Sequence, residues 1–166
     1  MKRHIIIHWT AGLNEPSYLE KKHYHFLIDS EGNIHNGEHS IEDNDATSDG
    51  DYAAHCGGGN TMAIGNAVCG MAGYQSPQII GKYPLTKIQC ERLFELCAKQ
   101  LIAEGWNEAI ELNCLTHYEF GKLHPETSSA GKIDITYLPP YPEIHADMVG
   151  DFIRGKVNWY IQKLRK

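Results

Sequence analysis

The chain has 166 residues, 42% of them hydrophobic, which is the size of one domain with enough apolar residues to bury a core. Its 21 acidic and 15 basic side chains give a formal net charge of −6. This balance argues against a nucleic-acid partner, because a phosphate backbone requires a dense positive face. We therefore expect a single domain that acts on something other than nucleic acid.

The five cysteines form an odd set without a CxxC pair, which is typical neither of a disulfide framework nor of a zinc ribbon. We expect free thiols. The amino-terminal run has only three consecutive isoleucines, too few for the core of a signal peptide, and no apolar stretch approaches the roughly 20 residues that cross a bilayer. These features predict synthesis in a reducing cytoplasm and no stable membrane association. We also expect a monomer.

Several segments in the first half have the patterns of regular structure. β-Branched isoleucines dominate His4–Trp9, and its near-continuous apolarity predicts a strand buried on both faces. Residues 17–22 can form at most a short helical segment. Residues 24–29 and 33–37 flank a turn-rich link, which predicts a hairpin. A further strand is expected at residues 62–71, where glycines permit close packing.

Two helices are expected in the second half. Thr86 and Gln89 have the spacing of a capping box and open a helix that Gly105 ends. The last helix begins near residue 146 and has one apolar stripe. Acidic residues are concentrated at 38–51, where few apolar anchors occur, so a solvated loop is expected and calcium binding is the alternative.

Three residues of metal-ligand type lie far apart in the sequence. His8 ends the apolar run IIIHWTAG, His117 lies in NCLTHYEF, and Asp134 lies in GKIDIT. Two imidazoles and one carboxylate leave a fourth position open on a tetrahedral zinc ion, as in catalytic sites. Each histidine alone is more often a surface or hydrogen-bonded structural residue. Together, the three residues predict a zinc hydrolase.

The order of these motifs resembles that of the zinc-dependent N-acetylmuramoyl-L-alanine amidases, a family that includes small phage amidases and shares its fold with the peptidoglycan recognition proteins. His8 is similar to the zinc histidine that ends the first strand of the family. HYHFLIDSEGNIHNG and AAHCGGGNTMAIG resemble its hairpin and the segment before its groove-lining strand. His117 with Glu119 resembles the second zinc histidine and its acidic neighbour, and Lys132 with Asp134 resembles the lysine-x-aspartate signature.

The resemblance implies an α/β fold in which helices flank a central mixed sheet, and one catalytic domain that spans residues 1–166. It implies one Zn²⁺ ion held by His8, His117 and Asp134. The implied reaction is hydrolysis of the amide bond between N-acetylmuramic acid and L-alanine in peptidoglycan. A zinc ion lowers the pKa of water toward roughly 7, which suits attack on an amide.

The resemblance also assigns candidate catalytic and substrate-binding residues. In an extended segment Lys132 projects to the same side as Asp134, where its ammonium group would stabilise an oxyanion. Tyr24 would hydrogen-bond the attacking water or the same oxyanion, whereas His55 and Asn60 would contact substrate. Taken alone, Lys132 is an ordinary solvated lysine and Tyr24 an ordinary strand residue.

The sequence offers other candidate metal ligands, and it departs from the family pattern in an insertion, in Ile135 where the family usually has proline, and in a short connection from Trp9 to Tyr24. His124 is a rival metal ligand, and Cys56 and Cys114 are possible thiolate ligands without partners at ligand spacing. Residues 121–131 form an insertion that is either a flap over the groove or a flexible loop.

The leading hypothesis is a phage or prophage endolysin. The alternatives are a cytoplasmic amidase that recycles muropeptides and a non-catalytic module that binds peptidoglycan.

Overall fold

A five-stranded mixed sheet organises the protein. The computed structural model describes residues 1–166, and its strands and α-helices in chain order are β1 (His4–Trp9), α1 (Glu20–His23), β2 (Phe26–Ile28), β3 (Ile34–Asn36), β4 (Ala63–Val68), α2 (Lys87–Ala103), β5 (Cys114–Thr116), α3 (His117–Leu123) and α4 (Val149–Leu164). The strand order is β3-β2-β4-β1-β5, and only the β2–β3 pair is antiparallel. The expected single-domain α/β class with a mixed sheet is confirmed.

The central strand β1 is buried on both faces, as its sequence predicts. Ile5 and Ile7 belong to the main core, which α2 and α4 complete, whereas Ile6 belongs to a smaller cluster with Phe120. Side chains alternate along a strand, so His8 projects to the same face as Ile6. The functional face of β1 is therefore the one opposite the two long helices.

The predicted elements are all present: β1 has the predicted bounds, whereas β2, β3 and β4 are shorter than expected. Thr86 caps α2 through the expected capping box with Gln89, and the backbone of Gly105 lies just beyond the helix end with φ +86°. The structure adds β5 and α3, which the sequence patterns did not predict. β5 has three residues and α3 has seven, too few for a clear periodic pattern. No helix of the protein is long and apolar enough to cross a membrane.

The acidic segment is more ordered than a simple solvated loop. Its carboxylates are largely exposed, but residues Ile41–Asp45 form a 3₁₀ helix around the fully buried Asn44. The amide of Asn44 accepts from Ala53 N and donates to the carbonyl oxygens of Ala53 and Asn60. The sequence analysis missed this anchor because a buried asparagine has the same composition signature as an exposed one.

Candidate metal centre

Strand pairing places two of the predicted ligands beside each other. β1 and β5 are parallel neighbours in which Ile7 lies opposite Thr116. The next residues, His8 and His117, therefore lie together at the carboxyl ends of the two strands, the edge of a parallel sheet where sites form. Both imidazoles are buried, and His8 has no exposed surface.

Asp134 completes the group from the segment that follows α3. Its backbone carbonyl accepts a hydrogen bond from Tyr118 N at 2.7 Å, which ties the segment to the first turn of α3. Asp134 Oδ2 lies 2.9 Å from His8 Nδ1 and 3.2 Å from His117 Nδ1, and the two Nδ1 atoms are 3.1 Å apart. The three predicted ligand residues thus form one group that could hold a metal ion.

The donor set fits a small tetrahedral cation. Ligand atoms at about 2.0–2.1 Å from a tetrahedral zinc ion are about 3.3 Å apart, close to the three separations observed here. Two Nδ1 lone pairs at 3.1 Å repel each other unless a proton or a cation lies between them. A proton on one of the two nitrogens, or a cation bound by both, removes this repulsion.

The pKa values of the group follow from burial and from the Asp134 carboxylate. Burial lowers the pKa of His8, although the hydrogen bond to Asp134 opposes this effect. Burial also lowers the pKa of His117, but its hydrogen bonds to Asp134 and Cys56 outweigh that effect and raise the pKa to about 9. Burial would raise the pKa of Asp134, but hydrogen bonds from both histidines hold it below its ordinary value. Without metal, His117 therefore carries protons on both ring nitrogens at neutral pH.

The outward nitrogens of both histidines have buried partners. His8 Nε2 lies 2.9 Å from His55 Nδ1, and His55 Nε2 lies 3.4 Å from the carbonyl oxygen of Ala63. His117 Nε2 lies 2.9 Å from Ser129 Oγ. Burial lowers the pKa of His55 well below its ordinary value, so this imidazole is neutral at pH 7. These contacts hold the imidazole rings with Nδ1 toward Asp134.

A cleft of about 510 Å³ opens beside the ligand group. Its lining includes two of the ligands, His117 and Asp134, and also Tyr24, His55 and Lys132. The ring centroid of Tyr24 is 5.1 Å from that of His8. Burial raises the pKa of Tyr24, so its hydroxyl stays protonated at neutral pH and can donate a hydrogen bond. The structure thus brings both predicted catalytic residues to the cleft beside the predicted ligand group.

Asn60 is not among the residues that line this cleft. Its amide oxygen accepts from His55 N and Cys56 N at 2.9 and 2.8 Å, so it shapes the loop that carries His55. The rival ligand His124 is exposed and pairs with Glu126 at 3.4 Å. Cys56 and Cys114 are buried free thiols that are not in the ligand group. The predicted substrate contact of Asn60 has no support from this placement.

The insertion at residues 121–131 begins with the last turn of α3, is largely exposed, and contacts the rest of the protein through the buried Ser129. Ser129 is fully buried against His117, and a side chain at Gly57 or Gly58 would collide with Ser128 or Thr127. The sequence analysis missed Ser129 because its contact with His117 depends on the path of an irregular segment. No local spacing signals that contact.

Arg154 of α4 is a second buried residue that the sequence analysis did not single out. Its guanidinium donates to Glu119 Oε1 and Oε2 at 2.9 and 2.8 Å, and also to Asp151 and to the carbonyl oxygen of Cys114. Glu119 accepts from Thr116 N and thereby caps α3, the helix that begins at His117. The capping-box spacing of Thr116 and Glu119 is a local sequence signal for the start of this helix.

His39, Asp43 and Asp51 form another group that could hold a cation. His39 Nδ1 lies 3.4 Å from Asp43 and 3.2 Å from Asp51, and the Asp51 side chain is 71% exposed. Both contacts are ordinary contacts between an imidazole and surface carboxylates. One imidazole and two carboxylates also lack the six or more oxygen ligands that calcium takes, so the calcium alternative gains no support.

Comparison with known families agrees with this arrangement. A family model described as N-acetylmuramoyl-L-alanine amidase matches residues 2–129. The chain belongs to this amidase family. The match contains His8, Tyr24, His55 and His117 and ends before Asp134. A search of the curated proteins found no match.

The raised pKa of His117 predicts how the stability of the metal-free amidase depends on pH. The pKa of His117 is about 9 in the folded protein and about 6.5 in the unfolded chain, so protonation of His117 favours the folded state. This stabilisation is complete below pH 6.5 and is lost as the pH rises through 9. We expect a loss on the order of 2–3 kcal/mol between pH 7 and pH 10, measured by urea unfolding with a chelator present. The His117→Gln variant should lack this component, and an equal loss in that variant would contradict the assignment.

Proposed function

We propose that this protein is a zinc-dependent N-acetylmuramoyl-L-alanine amidase that cleaves peptidoglycan, as a phage or prophage endolysin. The observation that carries the proposal is the convergence of His8 Nδ1, His117 Nδ1 and Asp134 Oδ2 within 3.2 Å of one another beside a cleft. Family membership supplies the reaction, hydrolysis of the bond between N-acetylmuramic acid and L-alanine. The endolysin role rests on the resemblance of the ordered motifs to those of small phage amidases.

The ligand group would hold zinc through two neutral imidazoles and one carboxylate. This set suits zinc, which favours nitrogen and oxygen donors in a tetrahedral arrangement, and it leaves one position free. When bound, zinc supplies Lewis acidity that lowers the pKa of water toward about 7 and polarises a carbonyl group. The carboxylate of Asp134 offsets one of the two positive charges of the ion within the buried site.

Lys132 and Tyr24 would act on the scissile amide from the cleft. Lys132 is exposed and lines the cleft two residues before Asp134, so its ammonium can approach the carbonyl oxygen of a bound amide. Negative charge develops on that oxygen during attack, and a positioned cation stabilises it by a few kcal/mol. The protonated hydroxyl of Tyr24 can donate a hydrogen bond to the same oxygen or orient the attacking water.

Replacing His8 tests the metal site. We expect His8→Ala to lose zinc and amidase activity together, because it removes one of three protein ligands. Zinc content is measured on the purified protein by atomic emission after dialysis. The matched control is His124→Ala, which removes an exposed imidazole away from the group and should retain one zinc ion. Full zinc occupancy in the His8 variant would remove His8 from the site.

Replacing Lys132 tests its role in turnover. We expect Lys132→Ala to lower kcat about 100-fold or more while zinc content and KM change little, because the ammonium acts on charge that develops after binding. Steady-state kinetics on a defined muramyl-peptide substrate separate kcat from KM. The control Lys122→Ala removes an exposed lysine that pairs with Asp147 instead. An unchanged kcat for Lys132→Ala would reject the oxyanion role.

The physiological substrate can be tested with purified sacculi. An endolysin should release new L-alanine amino termini from intact sacculi and reduce their turbidity. Activity confined to small soluble muropeptides would favour the recycling amidase instead. Zinc-replete protein that binds sacculi without releasing amino termini would favour the non-catalytic module. End-group labelling followed by mass analysis of the released fragments distinguishes the three outcomes.

A further inference from the structure

Ser129 is a buried hydroxyl residue in contact with a proposed metal ligand. It has no exposed surface and follows α3 in the insertion at residues 121–131. Its Oγ lies 2.9 Å from His117 Nε2, 2.7 Å from the carbonyl oxygen of Gly57, and 3.4 Å from Cys56 Sγ. These are the polar contacts of the hydroxyl group, and together they determine the direction of each hydrogen bond.

The hydroxyl group of Ser129 has one proton, and it can donate that proton to only one of these partners. Two oxygens at 2.7 Å need a proton between them, and a carbonyl oxygen can only accept, so Ser129 donates to Gly57 O. The Ser129 oxygen must therefore accept from His117 Nε2, which carries a hydrogen. The remaining proton that His117 can lose is on Nδ1, the atom that faces Asp134 and His8.

We propose that Ser129 is a positioning residue that fixes His117 in the Nε2–H form and so presents the Nδ1 lone pair to the metal. The inference rests on the proposed zinc site and adds a residue that acts through a ligand rather than on substrate. A ligand histidine usually donates its other N–H to a fixed acceptor, which sets the tautomer and ring orientation. Here the acceptor is the hydroxyl oxygen of Ser129, which donates its own proton to the carbonyl oxygen of Gly57.

The neighbouring backbone holds in place the two hydrogen bonds that link His117 to Ser129 and Ser129 to Gly57. Gly57 has no side chain, and a Cβ there would collide with the Ser128 hydroxyl, so a larger residue at this position would require that side chain to move. A side chain at Gly121 would likewise collide with the carbonyl of Ser129. The hydrogen bonds of Ser129 therefore depend on close packing of the insertion against the loop at Gly57 and against the last turn of α3.

His8 has a related but looser arrangement. Its Nε2 contacts His55 Nδ1 at 2.9 Å, but the final contact, from His55 Nε2 to Ala63 O, is 3.4 Å. A contact of that length constrains the tautomer weakly compared with the 2.7 Å bond from Ser129 to Gly57. Replacing Ser129 is therefore the clearer test of whether an outer hydrogen bond fixes the tautomer of a proposed ligand histidine.

The test compares zinc affinity in two serine-to-alanine variants. Ser129→Ala should raise the zinc dissociation constant about 10-fold or more, the usual result of removing an outer partner of a metal ligand. The control Ser48→Ala changes an exposed serine in the acidic segment and should leave the constant unchanged. Competition with a chromophoric chelator measures both constants on the full chain, and urea unfolding of the metal-free forms verifies folding.

Nuclear magnetic resonance of the unmodified protein gives a second measurement that needs no variant. In the zinc-loaded protein, the ¹⁵N shifts of His117 should identify Nε2 as protonated and Nδ1 as the nitrogen without a proton. The opposite assignment, or equal zinc affinity in folded Ser129→Ala, would overturn the proposal. Absence of zinc binding in the unmodified protein would instead reject the proposed function, so the two failures are distinguishable.

Discussion

The parallel pairing of β1 with β5 is the constraint on which the site depends. It sets Ile7 opposite Thr116 and thereby places His8 beside His117, although 109 positions separate them in the sequence. Because β1 is buried on both faces, a slip of one residue would turn its isoleucines to the wrong faces and bury His8 in the main core. Hydrophobic burial of β1 thus fixes its register with β5, and that register sets the relative position of the two proposed metal ligands His8 and His117.

Arg154 extends this dependence to the carboxyl-terminal helix. A buried guanidinium is costly unless it is paired, and here Glu119 pairs with it in a bidentate contact while Cys114 supplies a carbonyl oxygen. The same Glu119 caps α3 at the residue before His117. α4 lies beyond the residues that the family model matches, yet through Arg154 it holds the helix that carries a proposed ligand.

The parts of the fold that the sequence predicted are those with local signals. β1, the hairpin and the two long helices have periodic patterns or caps, whereas β5 and α3 are too short for a period. The capping box at Thr116 was available but lacked a long amphipathic stretch to support it. The proposed ligands were found from the order of their motifs. Ser129 and Arg154 were not, because their contacts with His117 and Glu119 arise only from tertiary packing.

The three proposed ligands are held by different parts of the fold. His8 lies within a central strand, and His117 is fixed at its outward nitrogen by Ser129 and along the backbone by the cap of α3. Asp134 lies in an irregular segment that a backbone hydrogen bond from Tyr118 ties to α3, and the next residue, Ile135, is fully buried in the main core. The sheet therefore sets the positions of the two proposed histidine ligands. The segment anchored by Ile135 brings the Asp134 carboxylate to them and places Lys132, two residues earlier, at the cleft.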